Sequence, residues 1–324
     1  MNRPTRRSVL CAPALLLARP ALAQRGSFDS FLEGVRAEAR RGGVSDATLQ
    51  RALSGIRPVD RVIELDRRQA ESTLTWSQYR DRIVSQARID QGRRAYAENR
   101  ALLQSLEGRY GVPGRFMVAI WGMETNYGGN TGGFGVIEAL ATLAWEGRRA
   151  SFFRAELMAA LRILDAGHVS PQRMRGSWAG AMGHPQFMPT SFERLAVDAD
   201  GDGRKDIWDS RADALGSIAN YLARSGWRDD ERWGREVTLP EGFDPSEATR
   251  DNMRPLREWA QRGVTFADGT SVPALEMKGA VILPGGPSDS LQAYLVYHNF
   301  NVIRRYNPSN FYALAVGLLS DRVA

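Results

Sequence analysis

Glu124 is the residue best placed for acid–base chemistry. It is the only acid between Val112 and Ile137, and it follows the apolar run Phe116, Met117, Val118, Ala119, Ile120, Trp121 and Met123. Burial disfavours the charged form of a carboxylate and raises its pKa. A raised pKa is what a general acid near neutral pH needs. Asn126, Tyr127 and a loop with four glycines in the six residues Gly128 to Gly133 come next, so the acid stands at a helix end that opens onto a mobile or closely approached site. A structural glutamate paired with one of the many arginines would give the same pattern, and this stretch alone leaves both readings open.

A second constellation spans Asp198 to Asp209. Asp198, Asp200 and Asp202 fall at positions 1, 3 and 5 of an EF-hand loop, Gly203 at the sharp turn of position 6, Arg204 where a backbone carbonyl ligates, and Asp206 at position 9. Hard oxygen ligands at this spacing suit Ca²⁺. Position 12 is Asp209 where a bidentate Glu is usual, so Asp213 competes as the closing ligand. The alternative is a solvated Asp- and Gly-rich turn, but three alternating aspartates with the glycine favour calcium.

Between these segments lies GSWAGAMGHPQFMPTSF, Gly176 to Phe192, where small residues alternate with aromatics and methionines. Such a loop lets backbone approach a ligand closely, and Ser177 and Gln186 are its hydrogen-bonding groups. A tight helix connection is the plainer alternative. Arg148 and Arg149 suit carboxylates, though alone they would read as a solvated helix start. The three histidines, His168, His184 and His298, are not clustered, which argues against a His-ligated zinc site. Without a GxSxG or a phosphate-type glycine loop, a serine hydrolase or nucleotide enzyme has little support.

The elements that must position these groups are mostly helices. Helical spacing predicts Phe28 to Ala39, a second helix from the Ser45–Asp46 cap to Leu53, and one or two long helices over Thr73 to Leu106. Pro113 suits the first turn of the helix carrying Glu124. Further helices are expected over Gly135 to Trp145, Ser151 to Gly167, from a Thr190 or Ser191 cap, and over Ala212 to Ser225. From about Trp227 the texture changes. Strands are expected at 237–239, 264–266, 274–277 and 280–283, with a short helix at 256–262. Helical texture returns at 291–294 and 310–319. The fold class is mainly α (α+β), a helical core with a small β-containing domain inserted.

Residues 1–23 read as a signal peptide: Arg3, Arg6 and Arg7, an apolar core from Val9 to Leu17, and an Ala21-Leu22-Ala23 cleavage site. Thr5 to Leu10 also resembles a twin-arginine signal, so the route, Sec or Tat, stays open. Four of the 43 basic residues and none of the 37 acidic ones lie there, so the formal charge drops from +6 to +2 on removal. That balance disfavours nucleic acid, which needs a concentrated basic face. The single cysteine, Cys11, follows Leu10 and is a poor lipid acceptor. The exported chain would therefore carry no disulfide, thiolate metal site or Cys nucleophile. No later segment is long and apolar enough to serve as a transmembrane anchor.

Together, AIWGMETNYG (119–128), AGAMGHPQFMPTSF with DADGDGRKDIW, and RRYNPSNFYALAVGLL (304–319) resemble the lytic murein transglycosylase B family in order and spacing. The resemblance implies a lysozyme-like helical core divided as 24–108 (N-terminal helical domain), 109–227 (catalytic core with the EF-hand-like loop), 228–289 (small β-containing domain) and 290–324 (helices completing the core). It implies a periplasmic carbon–oxygen lyase. The enzyme would cleave the β-1,4 MurNAc–GlcNAc bond of peptidoglycan without water, leaving 1,6-anhydro-MurNAc ends. Glu124 would act as acid and then base, with the substrate's acetamido group assisting. Ser177 and Gln186 would position the sugar. Arg148 and Arg149 would meet stem-peptide carboxylates or the N-acetyl carbonyl, and Tyr221, Tyr306, Asn307, Tyr312 and Tyr79 would line the groove. Structural Ca²⁺ on Asp198, Asp200, Asp202, Arg204 and Asp213 or Asp209 is expected, with no organic cofactor. The expected partners are glycan strands and proteins of cell-wall synthesis or remodelling, met by a monomer. A lysozyme-type hydrolase and a non-catalytic, calcium-stabilised wall-binding protein are the alternatives.

Overall fold

The computed structural model describes residues 26–68, 74–286 and 292–324. The expected export signal, residues 1–23, lies outside the described residues. The described residues begin with α1 (Phe28–Arg41), α2 (Asp46–Leu53) and α3 (Asp60–Arg68). Ser27 and Ser45 cap the first two by accepting the backbone N–H groups of Ser30 and Thr48. The expected long helices over 73–106 are instead α4 (Trp76–Ile83), α5 (Gln86–Glu98) and α6 (Arg100–Tyr110). Thr73 itself is outside the described residues. Thr75 with Gln78 forms a reciprocal capping box on α4, Ser85 caps α5, and the Asn99 side chain folds back on the Ala95 carbonyl between α5 and α6.

Next come α7 (Gly114–Thr125), β1 (Phe134–Gly135), α8 (Val136–Glu146), α9 (Ala150–Asp165), β2 (Arg175–Gly176), α10 (Pro189–Leu195) and α11 (Arg211–Arg224). Helix α10 starts at Pro189, not from a Thr190 or Ser191 cap. Its first N–H, that of Thr190, is met by the buried Glu156 carboxylate, which also accepts the Thr190 hydroxyl. The inserted part holds β3 (Gly234–Thr238), β4 (Arg254–Pro255), α12 (Leu256–Gln261), β5 (Thr265–Phe266), β6 (Lys278–Ile282) and β7 (Ala293–Val296). Helices α13 (His298–Tyr306) and α14 (Asn310–Val323) close the chain. The five strands from β3 onward form an antiparallel sheet ordered β4-β6-β7-β3-β5, and β1 pairs separately with β2.

Three cores organise these elements. Helices α1, α2, α8, α9 and α10 enclose one. Helix α7 lies in a second, against α5, α6, α11 and α14, and every residue from Phe116 to Trp121 is buried. A helix that is apolar all round is enclosed all round. The third core lies between α12 and the sheet. Strand β7 separates two of them: Tyr294 and Val296 face the α7 core, Ala293 and Leu295 the sheet core. Burial on both faces leaves an unbroken apolar run with no alternation, which is why 291–294 reads as helix; Leu291 itself lies outside the described residues. The expected strand at 274–277 is irregular chain, and the expected strand at 280–283 begins earlier, at Lys278.

Candidate active site

Glu124 sits in the last turn of α7, and Asn126 and Tyr127, both left-handed at φ 51° and 58°, stop the helix directly behind it. Among the described residues no arginine pairs with the acid, and its side chain is only partly exposed. Its Oε1 accepts a 2.6 Å hydrogen bond from the Tyr312 hydroxyl in the first turn of α14. Burial pushes the carboxyl up to about 7, and the Tyr312 bond, which favours the charged form, pulls the other way. Among the described residues no second carboxylate contributes to that shift. Of the two readings of the sequence, the ion pair with an arginine is not formed among the described residues.

Tyrosines gather at this carboxyl. Tyr306 lies parallel to Tyr312, with centroids 6.5 Å apart, and packs on Tyr221 at 4.6 Å. Burial and the nearby Glu124 charge push both Tyr306 and Tyr312 well above the ordinary phenol range, so both stay protonated. Tyr306 donates to the Pro185 carbonyl and Tyr221 to the Arg305 carbonyl, each at 2.5 Å, which pins the rings in place. Tyr79 packs on Trp76 and Phe311, and its hydroxyl is raised by burial and then by Glu124. Tyr312→Phe removes the bond favouring ionised Glu124. It should shift the alkaline limb of the activity profile upward by about one to two pH units, since a hydrogen bond to a charge contributes about 1.5–3 kcal/mol. A pH–rate series on the purified variant checks this.

The loop from Gly176 to Phe187 faces the same region through that Pro185 contact. Antiparallel bonds between Met182 and Phe187 (2.8 and 3.1 Å) close a turn on Gly183 to Gln186. Gln186 is left-handed at φ 50°, and its amide nitrogen donates to the Thr131 and Gly183 carbonyls. Its Oε1 remains as an acceptor. The Ser177 hydroxyl accepts from Ala179 and Ala181 N–H and retains its proton to donate. Gly132 lies against the Gly176 carbonyl so closely that any Cβ would overlap it. Asn307 Oδ1 accepts from Ser309 N–H, leaving its amide N–H groups.

Two expected groups are held elsewhere. Arg148 makes a two-pronged ion pair with Asp66, and Arg149 joins it at 3.1 Å. The Asp66 side chain is only 5 % exposed, whereas those of Arg148 and Arg149 are 50 % and 43 % exposed, so both arginines are oriented from beneath yet open to solvent. The sequence gives no local sign of Asp66, which comes from α3. Asp209 is also elsewhere: it pairs with Arg173, while Trp208 and Asp209 N–H groups bind the Asp206 carboxylate in a turn that carries Asp209 away from the loop.

The carboxylates of Asp198, Asp200, Asp202 and Asp213 converge, with one oxygen from each within 4.8 Å of the others. Asp213, fully buried in the first turn of α11, accepts from Ala199 and Asp206 N–H at 2.7 and 2.6 Å, and burial raises its carboxyl. Arg204 turns its side chain onto Asp202 at 2.9 Å. Four gathered carboxylates, one of them out of water, fit a hard divalent cation.

A family model described as the transglycosylase SLT domain matches residues 27–321. The chain belongs to this family. As an SLT-family chain, it is 32 % identical over 297 residues to the membrane-bound lytic murein transglycosylase B of Escherichia coli, covering 87 % of this chain and 79 % of the relative. SltB3 from Pseudomonas aeruginosa, solved with a NAG-NAM-pentapeptide, superimposes with a TM-score of 0.89 at 45 % identity over 92 % of this chain and 79 % of that one. The E. coli lytic transglycosylase Slt35, solved with calcium, gives 0.76 at 29 % identity over 94 % of each chain. These matches bear out the family resemblance and the mainly α, lysozyme-like fold, and they make the SLT chain a lytic transglycosylase.

Proposed function

We propose that this lytic transglycosylase cleaves the β-1,4 MurNAc–GlcNAc bond of peptidoglycan without water, with Glu124 as its one acid–base group. What supports this is the Glu124 carboxyl at the end of α7, held by the Tyr312 hydroxyl and pushed up to about 7 by burial, with no second carboxylate contributing among the described residues. The usual glycosidase scheme needs two. In the first step Glu124 gives its proton to the glycosidic oxygen. The C1–O4 bond breaks, the GlcNAc leaves as an alcohol, and the muramyl 2-acetamido oxygen bonds to C1. In the second step ionised Glu124 takes the C6 hydroxyl proton and O6 attacks C1. The acetamido bond opens, leaving a 1,6-anhydro end and a protonated Glu124. Tyr312 donates to the carboxylate that exists between the steps. SltB3, solved with a NAG-NAM-pentapeptide, and its NAG-anhNAM counterpart are the relatives whose ligands suit this substrate and product.

In this reading, Gln186 Oε1, the Ser177 hydroxyl and the Asn307 amide hydrogen-bond the sugars. Tyr79, Tyr221, Tyr306 and Tyr312 wall the groove, and Arg148 and Arg149 meet peptide carboxylates beyond it. Residues 1–23 export the chain to the periplasm, and no described helix is long and apolar enough to cross a membrane. Digestion of sacculi in oxygen-18 water tests the central step. Products free of the label support it, and labelled reducing ends refute it.

Asp198, Asp200, Asp202 and Asp213, with the Arg204 carbonyl, hold Ca²⁺ as a structural clamp, as the calcium-bound Slt35 suggests. Chelation should lower the melting temperature by at least about 5 °C, because ligand at a hundredfold its Kd contributes about 2.7 kcal/mol. Differential scanning fluorimetry with chelator and with calcium restored checks this, and an unmoved melting temperature contradicts the clamp.

A further inference from the structure

His184 is the one histidine of the Gly176–Phe192 loop, and three separate parts of the fold meet at it. Its Nδ1 accepts a 2.9 Å bond from the indole N–H of Trp121, one turn ahead of Glu124 on α7. Its backbone carbonyl accepts from the Thr125 hydroxyl, and Thr125 directly follows Glu124. Its backbone N–H donates to the Ile207 carbonyl at 3.0 Å. Asp206, one residue earlier, is tied by its N–H to the Asp213 carboxylate. The ring lies on Gly128, left-handed at φ 87°, where any Cβ would strike the imidazole.

This arrangement has a defined hydrogen-bond logic. An imidazole that accepts at Nδ1 carries its proton on Nε2. Burial and then Arg211 lower the ring's pKa, which keeps it in that neutral form. Pro185, the next residue, accepts from Tyr306, and Gln186 follows in its left-handed conformation. The ring is therefore placed to set the turn that faces the acid relative to the helix that carries it.

We propose that His184 is a positioning residue for glycan cleavage, locking the Pro185–Gln186 turn to the Glu124 end of α7 and to the backbone held by Asp213. This rests on the function proposed above, yet it has a readout of its own. In His184→Phe a ring of similar size remains but the acceptor for Trp121 is gone. We expect kcat on sacculi to fall about tenfold to a hundredfold with KM within about twofold, as for a misplacement on the order of an ångström. His184→Asn, which returns an acceptor near the Nδ1 position, should recover most of the loss. In ¹⁵N-labelled protein, the Trp121 indole N–H resonance, assigned with Trp121→Phe, should move and exchange faster in His184→Phe and return in His184→Asn.

Wild-type kcat in a folded His184→Phe, or an unmoved Trp121 resonance, overturns the proposal. If His184→Phe does not fold, His184→Leu, which fills part of the same space and has no acceptor for Trp121, is read in the same way. A wild-type protein inactive on sacculi would count against the function alone, since the Trp121 resonance still decides whether His184 holds α7.

Discussion

Replacing Glu124 with Gln is expected to abolish peptidoglycan cleavage, lowering turnover by about 10³–10⁴-fold. General acid–base catalysis contributes roughly 10²–10⁴, and here one group performs both proton transfers. Gln is nearly isosteric and can still accept the Tyr312 hydroxyl, so the fold and binding to sacculi should persist. Circular dichroism, a sacculus pull-down and muropeptide release measured together separate these effects. Activity equal to the wild type would remove Glu124 from the mechanism. The variant should also be more stable at neutral pH. The Glu124 carboxyl is raised from 4.5 to about 7, so its contribution is complete below pH 4.5 and is lost as the pH rises through 7. The loss is at most about 3 kcal/mol, because the side chain is only partly buried and solvent screens the charge. Gln carries no such loss.

The second large effect is on pH dependence. The free enzyme must present protonated Glu124, so kcat/KM should be level below about pH 7 and fall about tenfold per pH unit above it. Two units above that pKa, about a hundredfold should be gone. The ionised base of the second step is made by the first, so Glu124 imposes no acidic limb. An initial-rate series on sacculi across the neutral and alkaline range measures this, with a melting curve at each pH to confirm folding. A level profile through pH 9 would mean that the proton comes from another group.

The chemistry was legible where it is local. An isolated carboxylate on an apolar helix, alternating aspartates around Gly203, and a Gly/Pro-rich loop each announce themselves within about a dozen residues, because ligand spacing and helix enclosure act over that range. What brings them together is not local. Tyr79, Tyr306 and Tyr312 converge through α4, α13 and α14, and nothing in their own segments distinguishes a groove wall from core. Asp66 orients Arg148 and Arg149 from a helix far earlier in the chain. That Asp213, and not Asp209, lies with Asp198, Asp200 and Asp202 follows from the Asp206 turn and the Arg173 ion pair, neither visible in a ligand pattern.

The fold followed the same division. Helices with one apolar face and a serine cap, such as α1 and α2, lie close to where their spacing puts them. Strand β7 was misread because two cores bury both its faces, and helix α13 was missed because His298 to Tyr306 is short and lacks a side-chain cap. The long 73–106 stretch broke into three helices at serine, threonine and asparagine positions, where side chains compete for backbone hydrogen bonds.

The mass spectrum of muropeptides released from purified sacculi tests the central claim most directly. The account predicts fragments ending in 1,6-anhydro-MurNAc, each lighter by one water than its reducing counterpart, and their disappearance in Glu124→Gln. Reducing MurNAc ends from the wild-type protein would contradict it, because water would then have attacked C1 in place of the C6 hydroxyl.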